Sequence, residues 1–155
     1  MKTSQVIFSG TAGALALNGI HEAARNLIPN APHVDILGMR AMGKTLQKIR
    51  KEPSKVSSLR KLTFVADVIS NSLYYGVTIA ALGKRRRGDL WKRAWISGGV
   101  AGIIVATLPP LFGLGYQGTR KPAITAVLTA TWYLSGALVT AAIASALSGK
   151  SAAQD

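Results

Sequence analysis

The chain has 155 residues, of which 48% are hydrophobic and only 16% charged, with 19 Lys+Arg against 6 Asp+Glu and no cysteine. A soluble domain carries about 25% charged residues, and a chain at once this apolar and this basic, at +13, is unusual unless the two properties occupy different stretches. The missing cysteine excludes a disulfide framework, thiol catalysis and thiolate metal sites.

The segregation is sharp. Windows 5–28, 62–83, 94–115 and 123–148 contain three charged side chains, Glu22, Arg25 and Asp67, and the other 22 charges lie outside them. A membrane span needs about 20 mostly apolar residues. The predicted fold is therefore all-α: a single integral membrane domain, a four-transmembrane-helix bundle with spans at about 5–28, 62–83, 94–114 and 123–148. One amphipathic interfacial helix, about 36–51, lies between the first two spans, and 149–155 is a polar tail. The same pattern argues against a soluble nucleic-acid binder. Cleavage of the N-terminal stretch as a signal is not expected, because it ends in Asn18, His21, Glu22 and Arg25 rather than in small residues.

In chain order, the first span is rich in small residues, including Gly10, Gly13, Ala14 and Gly19, and stops at Pro29 and Pro32. Asp35 is placed to cap the interfacial helix. In that helix Met39, Met42, Leu46 and Ile49 recur at spacings that oppose Arg40, Lys44, Lys48 and Lys51. An apolar face in lipid and a cationic face on anionic headgroups is the expectation. The second span is followed by Lys84, Arg85, Arg86 and Arg87, a topology signal or a further lipid contact. Trp91 and Trp95 stand at the entrance of the third, where indoles favour the headgroup level. It carries Gly98-x-x-x-Gly102, a close-packing motif, and Pro109-Pro110 predicts its kink or end. The fourth span presents Ala137, Ala141 and Ser145 as a small-residue face.

The loop 84–93 packs six cations into ten residues beside two spans. The positive-inside rule then places both termini in the cytoplasm, in a bacterial inner (plasma) membrane.

The most informative pattern is a polar seam. Asn18, His21, Glu22 and Arg25 share one stripe of the first span; Thr63, Asp67, Ser70 or Asn71, Tyr74 and Thr78 recur every three to four residues in the second. An antiparallel pairing with Ile28 level with Lys61 sets Glu22 against Asp67 and Asn18 against Asn71, with Arg25 one turn nearer the surface. Ionisable groups inside a span are costly and default to a functional hypothesis; the competing reading is glue between two helices.

Catalytic motifs are missing. His21-Glu22 lacks the second helical histidine of a zinc pattern, and Gly113-x-Gly115-x-x-Gly118 follows Pro-Pro, so it reads as a turn. No metal, cofactor or catalytic residue is assigned. Three functions follow: a non-enzymatic accessory or scaffold subunit, as a homo-oligomer or with a membrane partner; a proton- or cation-coupled transporter or channel element using Glu22, Asp67, His21 and Arg25; and a lipid-modifying enzyme, which requires a lipid-sized crevice beside Glu22 and Asp67. The first is preferred.

Overall fold

Prolines and glycines divide the chain into helices. The structure, a computed structural model, describes residues 1–28, 31–49, 51, 55–80, 87–115 and 122–151. Among these residues there are five α-helices and no strand: α1 (Thr3–Leu27), α2 (Val34–Lys48), α3 (Val56–Ala80), α4 (Arg87–Thr107) and α5 (Pro122–Ser151). A 3₁₀ turn, Pro109–Phe112, follows α4. Ile28 ends α1 in an extended conformation, φ −113° and ψ 117°, because the ring of the following Pro29 crowds the helical region. Pro109 and Pro110 lack the N–H that would continue α4. The turn instead closes at Gly113, φ 64°, where the Gly113 and Leu114 N–H groups donate to the Pro110 and Pro109 carbonyls at 3.0 Å each.

α1 and α5 form the central pair and run antiparallel. Gln5 Nε2 donates to the Leu147 carbonyl at 3.3 Å at one end, and the rings of His21 and Trp132 lie 5.3 Å apart at the other. α3 packs on α1, antiparallel, through Gly10 and Gly76. α4 packs on α5 and also touches α3, where Tyr74 Oη donates to the Ser97 carbonyl at 2.8 Å. Three helices meet where Tyr75 Oη donates to the Tyr133 carbonyl at 2.9 Å. A Cβ at Gly136 would stand 2.6 Å from Tyr75 Oη and 2.9 Å from the Gly13 carbonyl oxygen, so only glycine lets three helices converge there.

The interior is built from small and hydroxylic side chains. Ala14, Ala94, Ala101, Ala137, Ala141 and Ala144 are buried, with Ser9, Thr125, Thr129 and Thr140. The hydroxyls of Ser9, Thr129 and Thr140 donate to carbonyls four residues back at 2.7–2.8 Å, which satisfies them without a partner helix. Leu17, Tyr75, Ile79, Trp132 and Tyr133 are large side chains buried among them, while many others point outward, including Phe8, Leu15, Phe64, Ile69, Leu73, Trp95, Ile103 and Phe112. By length and composition one helical stretch, Ala123–Ser148, is apolar enough to cross a membrane. α1 and α3 carry the polar seam, and α4 has 14 residues between Arg93 and Leu108.

Candidate functional site

The C-terminal half of α1, α2 and the N-terminal half of α3 enclose a crevice of about 620 Å³. α1 contributes Asn18, His21, Glu22 and Arg25; α2 contributes Asp35, Gly38, Met39, Ala41 and Met42; α3 contributes Arg60, Lys61, Thr63, Phe64 and Asp67. The α1–α2 link is short because Pro29 and Pro32 forbid a continuous helix, so α2 folds back across α3 as a roof. The approach is tight: a Cβ at Gly38 would lie 2.8 Å from Thr63 Cγ2.

Arg25 is the electrostatic centre. Its Nη2 donates to Glu22 Oε1 at 2.6 Å and its Nη1 to Asp35 Oδ2 at 3.3 Å. The sequence reading made Asp35 a helix cap. In the structure His33 holds the cap position, and Asp35 sits in the first turn of α2, where the helix dipole favours a carboxylate, facing Arg25. One turn deeper, the side chains of Asn18, Asn71 and His21 surround the Asp67 carboxylate. The buried carbonyl of Pro32 faces the His21 ring.

The sequence-derived register is off by one turn. Gly10 stands against Ser72 and Gly76, and Asn18, not Glu22, is level with Asp67. Glu22 therefore does not meet Asp67 as a carboxylate pair; its side chain is 61% exposed and bonded to Arg25. The register is set by the small residues Gly10 and Gly76, whose close contact outweighs any matching of polar with polar.

The described residues contain five buried side-chain polar atoms without a hydrogen-bond partner: His21 Nε2, Asp35 Oδ1, Thr63 Oγ1, Asn71 Nδ2 and Ser145 Oγ. The first three belong to residues lining the crevice, and the fourth belongs to a side chain beside Asp67. Three of the five thus sit on residues lining the crevice.

Two of the cations expected on lipid headgroups have protein acceptors. Arg40 Nη1 donates to the Leu114 carbonyl at 2.8 Å, and Lys44 Nζ to the Phe112 and Gly113 carbonyls at 3.2 and 2.7 Å. The turn after α4 exposes helix-end carbonyls, which attract cations. Lys48 and Lys51 are exposed. Arg85 and Arg86 lie outside the described residues, as do the side chain of Arg87, Gly118 of the Gly-x-Gly-x-x-Gly pattern and residues 152–155 of the tail. Met39 and Met42, expected in lipid, line the crevice.

Gly98 and Gly102 pack within the chain. Cβ atoms there would collide with α5, at 2.7 Å from Leu134 Cα and 2.9 Å from Ala137 Cβ for Gly98, and 3.0 Å from Ala130 Cβ for Gly102. The motif is occupied by α5, so it no longer argues for a second chain. Ala137 and Ala141 are both buried.

Sequence reasoning missed Asp35, Trp132, Arg60 and Lys61 as site residues. A usable signal existed for Asp35: it is the one acidic residue between Glu22 and Glu52, within a run of cations. Trp132 carried no local signal, since its contact with His21 comes from the pairing of α1 with α5.

Among the described residues no group of three or more His, Cys, Asp or Glu side chains could hold a metal ion. No family model matches the chain, and neither a curated protein nor a solved structure matches it.

Proposed function

We propose that the protein is an integral membrane protein in which α1, α3, α4 and α5 span the bilayer, α2 lies at one surface, and the crevice under α2 holds the polar head of an amphiphile. Its role on this reading is that of a non-enzymatic accessory subunit of a membrane assembly. The outward display of large apolar side chains over a small-residue interior supports the spanning arrangement, since lipid accepts those side chains and helices in lipid pack through small residues. α1, α3 and α5 are about 37–45 Å long at 1.5 Å per residue, enough for a hydrocarbon layer of about 30 Å, and the uncharged part of α4, about 21 Å, needs the turn that follows it to complete a crossing. The density of cations in 84–93 favours cytoplasmic termini.

One observation carries the ligand: the unpartnered buried polar atoms of three residues that line the crevice, His21, Asp35 and Thr63. Each such atom costs about 1–3 kcal/mol, and native chains keep few of them. A polar head framed by Met39, Met42 and Phe64 would meet both the polar atoms and the apolar wall. Transport is less well supported, because Tyr75, Gly136 and Gly13 close the bundle beyond Asp67. A lipid-modifying enzyme is the second reading, favoured by His21 standing near the carboxylates of Asp35 and Asp67.

The test is purification from native membranes in mild detergent, with mass spectrometry of co-purifying lipids and proteins. Wild type is expected to retain lipid, and Ala41→Trp, which fills the crevice, to lose it while keeping the same melting temperature. Equal lipid retention by both would refute the site. Turnover of the bound lipid would select the enzyme.

A further inference from the structure

Resting on that amphiphile-binding reading, we infer that the head recognised in the crevice is a primary ammonium joined to a phosphodiester, the head of an aminophospholipid. The charges lining the crevice balance: Arg25, Arg60 and Lys61 against Glu22, Asp35 and Asp67. They are not interchangeable, however. Arg25 is already engaged by Glu22 and Asp35, whereas Arg60 and Lys61 form no ion pair among the described residues and are exposed. Among the described residues Asp67 has the amides of Asn18 and Asn71 and the ring of His21 beside it and forms no ion pair, and Asp35 keeps one buried oxygen without a donor.

This leaves two unmet demands of opposite sign, at different depths. Asp67 lies six residues further along α3 than Lys61, about 9 Å at 1.5 Å per residue. A primary ammonium offers three donors and satisfies Asp67 and Asp35 Oδ1 inside. A phosphate satisfies Arg60 and Lys61 at the lip, where such contacts are charge-assisted. Thr63, between the two levels, holds an unpartnered hydroxyl that can donate to a phosphate oxygen. The apolar wall of Met39, Met42 and Phe64 receives the beginning of the acyl chains. A purely anionic head would leave Asp67 without a cation, and a quaternary ammonium has no N–H for Asp35 Oδ1.

The experiment is competition on the purified full chain in detergent, with equimolar phosphatidylethanolamine, phosphatidylcholine and phosphatidylglycerol of matched acyl chains, read by native mass spectrometry. Phosphatidylethanolamine is expected to be preferred over each of the others by about tenfold, the usual effect of leaving a buried charged group unpaired. Asp67→Asn should reduce its preference over phosphatidylglycerol to near unity. Arg60→Gln with Lys61→Gln, both at exposed positions, should weaken all three lipids alike by about tenfold. Soluble glycerophosphoethanolamine, which has the same head without acyl chains, should bind at least about tenfold more weakly than the lipid. Phosphatidylglycerol or phosphatidylcholine bound as well as phosphatidylethanolamine by wild type would overturn the ammonium assignment while leaving an amphiphile site intact. Unchanged retention in the Arg60/Lys61 variant would overturn the phosphate assignment. Soluble head bound as tightly as lipid would overturn the lipid as its source. Retention of no lipid at all would overturn both the inference and the reading beneath it.

Discussion

Gly98 and Gly99 are neighbours with opposite surroundings. A methyl at Gly98 would overlap Leu134 and Ala137, whereas nothing lies within 4 Å of one at Gly99. Gly98→Ala is expected to destabilise the protein by about 1–3 kcal/mol, the usual penalty of overpacking. Gly99→Ala should stabilise it by about 0.5–1 kcal/mol, because alanine loses less backbone freedom in a helix. Thermal unfolding of the two variants in the same detergent, followed by circular dichroism, checks both signs. At the crevice, Arg25→Gln removes the cation shared by Glu22 and Asp35. Its expected cost is about 1–3 kcal/mol, because Asp35 is largely buried and loses its only charged partner among the described residues. Double-mutant coupling with Asp35→Asn should recover most of that loss; simple additivity of the two changes would mean that the pair contributes nothing.

α2 is anchored by polar contacts more than by depth of burial, since Leu37 is its one buried residue. Its far side holds the turn after α4 through Arg40 and Lys44. Replacing both with Ala should therefore release α2 from that turn and leave the α1–α5 pair intact. Hydrogen exchange should speed up for amides of α2 and of the Pro109–Phe112 turn, and remain slow around Ala137 and Ala141. Uniform acceleration across all helices would refute a separable α2. The helices themselves were legible in the sequence, because Pro29, Pro32, Pro109 and Pro110 interrupt apolar runs whose periodicity is plain. The convergence of α1 with α3 was legible too, from two polar stripes of matching period. Their register was not: it depends on which glycines touch, and Gly10 against Gly76 leaves no mark in one-dimensional patterning. The anchoring of Arg40 and Lys44 was equally hidden, because a basic face looks the same whether it meets phosphate or carbonyl oxygen.

Taken whole, the molecule packs its interior mainly with alanine and hydroxylic side chains around Tyr75, Trp132 and Tyr133, and leaves Phe8, Leu73, Trp95 and Ile103 outside. On the four-span reading it should sediment with membranes after an alkaline wash and require detergent for a monodisperse preparation. A stable monomer in plain buffer would defeat that reading. The cysteine-free sequence makes orientation measurable without background: single cysteines at Ser4 and Ser148 should label from the same side, and one at Thr45 from the other. The crevice also has consequences for biogenesis. Its floor needs Trp132 against His21, and its roof needs the Gly113 carbonyl beneath Lys44. Both lie in the half of the chain that leaves the ribosome last. On the four-span reading, α1 and α3 can therefore enter the membrane, with α2 at its surface and every lining residue present, and still lack a finished site, which matures only when α4 and α5 arrive. A nascent chain stalled after Ala80 would have the parts of the pocket without its shape.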